Sequence, residues 1–266
     1  MATLVSFHAH PDDEAIACGG TMAKAAADGH RVVLVTATRG ELGEVPAGLK
    51  ATGRSLAEHR VAETEEAARV LGVHRVEFLG YTDSGMAGDS ANDQPGCFWQ
   101  AAVDEAAARL AAILIEEGAD VLTVYDANGA YGHPDHIQVH RVGLRAAELA
   151  GTARVYESTV DRDYVVALMR QAAELGLAEL PPLDLETFGS PSAAITTEID
   201  VREHLDAKRA AMAAHASQIT ETSFFLSLPP DAFVAVWGQE CYIRRTPMVA
   251  AGATERESTL FDLVPR

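Results

Sequence analysis

Residues 3–38, TLVSFHAHPDDEAIACGGTMAKAAADGHRVVLVTAT, decide the fold. Thr3 to His8 is a short apolar, β-branched run, Glu14 to Asp28 is rich in Ala and stops at Gly29, and Arg31 to Thr38 is a second apolar run with few charges. Apolar runs of this length read as strands covered on both faces, and an Ala-rich segment closed by Gly reads as a helix. The stretch is therefore β-α-β, the opening of a parallel sheet.

The alternation continues outward. A Gly-rich loop at Arg39 to Gly53 leads into a helix from Leu56 to Leu71, where Leu56, Val61, Ala67 and Leu71 recur near helical spacing, and Arg75 to Leu79 returns as a strand. Tyr81 to Trp99 is too polar and too broken for a regular element and is expected to border a site. Val103 to Glu117 reads as helix, Asp120 to Tyr125 as strand, His133 to Leu149 as helix and Ala153 to Glu157 as a fifth strand. The expected class is α/β: a Rossmann-like, mostly parallel sheet flanked by helices, with a smaller C-terminal part. In that part the pattern becomes irregular, with a helix near Tyr164 to Leu175, a Pro-containing stretch at Leu180 to Pro191, a strand at Ile195 to Ile199 and a helix at Val201 to His215. We expect a Rossmann-like metal-binding catalytic domain over residues 1–160 and a smaller α+β portion over residues 161–266 that packs near the active site. The final LVPR, Leu263 to Arg266, is given no functional weight.

Composition narrows the function. The chain is 48% hydrophobic and 23% charged, enough apolar residues for a real core. Its formal charge of −18 repels phosphate backbones and anionic lipid, so neither nucleic acid nor a membrane is an expected partner. Cys18, Cys97 and Cys241 are an odd number at wide spacing, which gives neither a disulfide framework nor a CxxC site and fits a reducing cytoplasm. No signal peptide or membrane span is expected, since the N-terminus lacks a basic start and no apolar run is long enough. A homo-oligomer stays open.

Two segments pack His, Asp and Pro together: His10-Pro-Asp-Asp-Glu14 and Tyr131-Gly-His-Pro-Asp-His136. Both fall beyond the C-terminal ends of expected strands, where open α/β sheets bind ligands. Catalytic zinc takes nitrogen and oxygen donors from about three residues and keeps a further position open for water. His10, Asp13 and His136 supply that set, with His10 and Asp13 three residues apart on one turn. Two imidazoles and a carboxylate also suit Fe2+, so Zn2+ is the expected metal and ferrous iron the alternative. Asp12, between the ligands, is placed to act as general base toward a metal-activated water. His133, assisted by Tyr131, is the candidate for stabilising an oxyanion. Asp135 would orient an imidazole, the alternative being a helix cap.

HAHPDDE with GHPDH, together with RGELGE at Arg39 to Glu44, LGYTDSGM at Leu79 to Met86 and YDANGAYGHPDH at Tyr125 to His136, resembles the LmbE/PIG-L family of zinc-dependent N-deacetylases. The resemblance covers about residues 4–145. It implies that His10, Asp13 and His136 hold the metal, that Asp12 is the base and that His133 and Tyr131 stand on the oxyanion side. It also implies that Arg60 and Asp83 contact a sugar; surface ion pairing is the alternative for both. The implied reaction is removal of an N-acetyl or N-acyl group from a glucosamine-like conjugate, a small N-acetylated sugar or glycoside. A mycothiol S-conjugate amidase or an antibiotic-tailoring N-deacylase is the runner-up. The amidases of the family carry a Lys shortly after HPDDE, whereas Glu14 is followed here by Ala15, Ile16, Ala17 and Cys18. A non-catalytic metal or sugar-binding protein is the remote alternative, disfavoured because Asp12 and His133 are both present.

Overall fold

The computed structural model describes residues 1–45, 47, 53–174, 188–248 and 255–262. Parts of the Arg39–Gly53 loop and of the Leu180–Pro191 stretch, the expected helix end at Leu175, and the Leu263–Arg266 tail lie outside the described residues. The elements run β1 (Thr3–His8), α1 (Asp13–Ala17), α2 (Gly19–Ala27), β2 (Arg31–Thr36), α3 (Leu56–Leu71), β3 (Arg75–Phe78), α4 (Val103–Glu117), β4 (Val121–Tyr125), α5 (Gly129–Gly132) and α6 (Pro134–Ala150). Then follow β5 (Arg154–Thr159), α7 (Arg162–Glu174), β6 (Thr197–Asp200), α8 (Leu205–Ala214), α9 (Phe224–Ser227), α10 (Pro230–Trp237) and β7 (Gln239–Thr246).

The strands form one seven-stranded sheet in the order β3-β2-β1-β4-β5-β7-β6. The first five are parallel to their neighbours, while β7 runs antiparallel to both β5 and β6. This is the mostly parallel α/β sheet expected from the sequence. Side chains of a strand alternate between faces, and the core divides accordingly. Val5, Phe7, Val33, Val35 and Val124 face Leu110, Leu114, Val139 and Val142 of α4 and α6. Leu4, Val32, Val121, Tyr156 and Tyr242 face Met22, Leu71, Val201 and Met212 on the other side. Each such side chain, fully withdrawn from water, contributes about 1.5–3 kcal/mol.

Local signals explain where several helices start. Ser55 and Glu58 form a capping box on α3: the Glu58 amide donates to Ser55 Oγ at 3.2 Å and the Ser55 amide to Glu58 Oε2 at 2.8 Å. Such a cap stabilises a helix by about 1 kcal/mol. The single helix expected from Glu14 to Asp28 is instead two, broken at buried Cys18. The break is fixed from far away in sequence: the amides of Gly20 and Thr21 each donate at 2.8 Å to the Glu240 carboxylate on β7. Gly20 also admits Val201, since a Cβ there would stand 2.5 Å from the Val201 Cβ.

β7 itself is absent from the sequence reading because QECYIRRT shows no apolar run. Its charged residues are paired inside the fold, Glu240 with Lys208, Arg244 with Glu257 and Arg245 with Glu157. No helix among the described residues is long and apolar enough to cross a membrane. The strand order reverses at β1, which lies between β2 and β4, and the crevice beyond the C-terminal ends of β1 and β4 is where such sheets bind ligands.

Candidate active site

The first wall of that crevice is the turn out of β1. Asp12 is the N-cap of α1 at φ 95°, a backbone conformation that few L-residues other than Asn and Asp adopt, so the turn must be held from outside. The Asp12 amide donates to Glu14 Oε2 at 3.0 Å, and Arg60 Nη2 donates to the Pro11 carbonyl and to Asp12 Oδ2, the latter at 3.2 Å. Arg60 Nη1 donates to the Gly40 carbonyl at 2.8 Å. The His10 amide donates to Asp13 Oδ2 at 2.9 Å, folding that carboxylate back over the turn.

The second wall is the start of α6, and the order His-Pro-Asp follows from helix-end chemistry. His133 is the N-cap and its Nδ1 accepts the Asp135 amide at 3.1 Å. Pro134 occupies the first helical position, where no N–H is needed. Asp135 sits in the first turn, where the positive end of the helix favours a carboxylate. Its oxygens do more than cap: Oδ2 accepts from Ser84 N at 2.9 Å and lies 3.1 Å from His10 Nε2, and Oδ1 accepts from Ser84 Oγ. Asp135 therefore orients the His10 imidazole.

The two walls bring His10, His133 and His136 together, with ligand atoms within 4.8 Å of one another; His10, Asp83 and Asp135 meet the same limit. Asp13 Oδ2 lies 3.4 Å from His10 Nδ1 and 3.4 Å from His136 Nε2. Both ring nitrogens of buried His136 lack a hydrogen-bond partner among the described residues. A buried imidazole with nothing to bond costs free energy. A carboxylate oxygen and two imidazoles converging in this way fit a divalent cation, so the donor set passes the chemical test for a metal centre. His133 is less available, because its Nδ1 is already accepting a backbone amide.

Burial and charge set the protonation states. Burial pushes Asp12 up to about 7, against the pull of the Arg60 guanidinium. Burial also lowers His133, reinforced by the neighbouring His10 and His136, to about 4. Its imidazole is thus neutral near pH 7 with Nδ1 accepting, which leaves the proton on Nε2. Burial opposes charge on His10, but Asp13, Asp135 and Asp83 outweigh it and hold its pKa well above the ordinary value. Burial likewise opposes ionisation of Asp13, yet His136 and His10 keep its carboxyl well below the usual range.

Tyr131 is half exposed, its ring centroid 5.0 Å from that of His136 and 6.1 Å from that of His133. Asp83 is buried with Oδ1 3.6 Å from His10 Nε2, and its oxygens accept the amides of Gly85 at 2.8 Å and Leu42 at 3.3 Å. Burial opposes its ionisation, but His10 and those amides hold its carboxyl below the usual range. Arg60, expected at a sugar, has its guanidinium committed to the Asp12 turn and is only 4% exposed. The sequence reading missed Tyr125, stacked on the His136 ring at 4.3 Å with its hydroxyl 3.0 Å from His8 Nδ1. It missed Ser84, and also His215, whose Nε2 is 2.5 Å from Glu14 Oε1. A polar residue inside an apolar strand, as at His8, was the available signal.

The family model described as PIG-L: GlcNAc-PI de-N-acetylase matches residues 5–147. The 1D-myo-inositol 2-acetamido-2-deoxy-alpha-D-glucopyranoside deacetylase of Streptomyces griseus subsp. griseus is 44% identical, over 98% of this chain and 89% of the relative. The protein of the same name from Thermomonospora curvata is 42% identical, over 97% of this chain and 95% of the relative. The crystal structure of a conserved protein from Thermus thermophilus has the same fold, with a TM-score of 0.59 at 23% identity, over 96% of this chain and all of that one. With two H-P-D turns closing on one crevice and a family match spanning both, this chain belongs to the PIG-L family of GlcNAc-PI de-N-acetylases.

Proposed function

We propose that the protein hydrolyses the N-acetyl amide of a glucosamine-containing conjugate, with 1D-myo-inositol 2-acetamido-2-deoxy-α-D-glucopyranoside the substrate of choice. The observation that carries this reading is the approach of Asp13 to both His10 and His136, with Asp12 on the same turn, in a chain 44% identical to a deacetylase named for that sugar. His10, Asp13 and His136 would hold the metal, with zinc the expected ion and ferrous iron the alternative. Such an ion supplies Lewis acidity toward a carbonyl oxygen and makes a nearby water more acidic.

The chain's own residues do the rest. Asp12, with a pKa raised to about 7, takes the proton from the attacking water and is a strong enough acid to return it to the departing amine. His133, neutral with its proton on Nε2, donates to the acyl oxygen as charge develops there, and Tyr131 stands beside it. Asp135 keeps the His10 ring in place. Asp83 borders the sugar close to His10, and Arg60 serves the site from behind by holding the Asp12 turn. Residues 1–160 form the catalytic unit in this reading, residues 161–266 buttress it, and three widely spaced cysteines support a reducing cytoplasm as its compartment.

The test is to incubate metal-loaded protein with N-acetylglucosaminyl-inositol, N-acetylglucosamine and a mycothiol S-conjugate and to measure new primary amine, with a chelated control. Amine from the inositol conjugate, abolished by chelation, supports the reading. Amine from the S-conjugate alone moves it to an amidase, and none from any of them overturns it.

A further inference from the structure

The chain that leaves α8 makes side-chain contacts to three separate segments, α1, α3 and the loop after β2, within four residues, His215-Ala-Ser-Gln218. His215 and Glu14 are both fully buried, and the 2.5 Å contact between Nε2 and Oε1 is the only polar contact of that imidazole among the described residues, since its Nδ1 has no partner there. The other oxygen of Glu14 accepts the amide of Asp12, the residue with positive φ. Ser217 donates to Glu63 of α3 twice, from its amide at 2.7 Å and from Oγ at 2.6 Å. Gln218 bonds the backbone of Glu44 in both directions, Oε1 accepting its amide at 3.0 Å and Nε2 donating to its carbonyl at 2.8 Å. The same loop holds Asp83, whose carboxylate accepts the Leu42 amide and whose own amide donates to Glu41 Oε2 at 3.0 Å.

We propose that His215, Ser217 and Gln218 are positioning residues: a clamp by which the C-terminal part sets Asp12 through Glu14, and Asp83 through the Arg39–Glu44 loop. A residue at φ 95° does not stay there unaided, and beside Arg60 the Glu14 carboxylate that accepts the Asp12 amide holds the turn, provided it is itself fixed from behind. His215 fixes it. A Gly-rich loop has many alternative conformations, and a paired amide such as Gln218 selects one in the way a neighbouring strand would. The clamp is anchored in turn, because Ile219 and Met212 on either side of it are buried in the core formed with α2, α3 and β7. Its two arms serve different steps, the His215 arm acting on the base and the Gln218 arm on the residue proposed to face the sugar. The kinetic half of this inference rests on the deacetylase reading.

The experiment measures kcat, KM and amide hydrogen exchange of the metal-loaded full chain in four variants. His215→Phe keeps a ring of similar size without its nitrogens and should lower kcat about 10–100-fold with KM changed less than about threefold, as loss of an outer partner does. His215→Gln, which retains a donor toward Glu14, should restore about tenfold of that loss and is the variant to use if His215→Phe does not fold. Gln218→Ala should raise KM about tenfold with kcat within about twofold, and Gln218→Glu, which keeps the acceptor for the Glu44 amide, should fall between. Exchange should accelerate over residues 9–16 in His215→Phe and over residues 39–45 in Gln218→Ala, each without the other. If no N-acetyl sugar is cleaved by the wild type, the deacetylase reading falls and these exchange patterns alone decide the clamp. Unchanged exchange in both segments, or equal loss of kcat and KM in every variant in step with Tm, would overturn it.

Discussion

Asp12 and His133 sit in one crevice, and burial moves them in opposite senses, Asp12 up to about 7 and His133 down to about 4. Two groups pushed apart in this way can hold complementary roles at neutral pH, one exchanging a proton and the other staying a neutral donor. The sign of the pH dependence follows: a base works when deprotonated, so kcat/KM rises with pH through the Asp12 pKa. A divalent cation on Asp13 favours the charged form of its neighbour, so the limb in the loaded enzyme lies below about 7. A pH-rate profile checks this, and a rate that falls as pH rises from about 5 to about 7 contradicts it. Replacing His133 by Ala should cost about 10²–10³ in kcat, the usual effect of removing one oxyanion donor, with the bound metal retained. These residues were legible in the sequence because each H-P-D run follows an expected strand and carries its chemistry within a few consecutive residues. The supports were not. Tyr125, Ser84 and His215 act on His136, Asp135 and Glu14 across the fold, and no local pattern links them.

At the scale of elements, the same division between local and distant control decides what the sequence reveals. The bounds expected for α3 and α4 coincide with those found, Leu56–Leu71 and Val103–Glu117, because caps and glycines that stop a helix are written beside it. The break at Cys18 and the strand β7 were hidden because Glu240, Lys208 and Glu257 determine them from elsewhere. The short helix α5 packs tightly against the proposed metal ligand His136. Gly129 has φ 63°, and a Cβ there would stand 2.6 Å from the His136 Cβ and 2.8 Å from the Ile137 amide nitrogen. Gly129→Ala should displace His136 and weaken metal binding about 10–100-fold, read by competition with a chelating dye while far-UV circular dichroism stays unchanged. Glu117, ending α4, ties that helix to β2 and β3 through Arg31 at 2.5 Å and Arg75 at 2.7 Å. Its hydrogen bond to Arg31, and then that to Arg75, lower its pKa from 4.5 to about 2. A depressed carboxyl pKa adds stability that is complete above 4.5 and is lost as pH falls toward 2. Glu117→Gln should therefore flatten the acid limb of a stability-versus-pH curve by about 1–2 kcal/mol after solvent screening, and an unchanged limb would refute the assignment.

For the whole molecule, one sheet joins the two ends of the chain, and a buried ion pair fastens the joint. Lys208 on α8 and Glu240 on β7 meet at 2.5 Å, with Lys208 also donating to the Ile16 carbonyl at 2.7 Å and Glu240 receiving the first amides of α2. Removing one member leaves a buried charge uncompensated, so Lys208→Met should destabilise the protein by about 3–5 kcal/mol, measured by urea unfolding. The proposed division of labour is that His10, Asp13 and His136 hold a single metal ion and that Asp12, between two of them in sequence, moves the proton. The most direct test is to measure bound metal and deacetylation together in wild type, Asp12→Asn and His136→Ala. Asn tolerates the positive φ of that turn, so Asp12→Asn should keep one equivalent of metal while kcat falls about 10²–10⁴-fold, and His136→Ala should lose the metal and the activity together. Metal lost from Asp12→Asn, or retained at full stoichiometry by His136→Ala, would contradict the assignment.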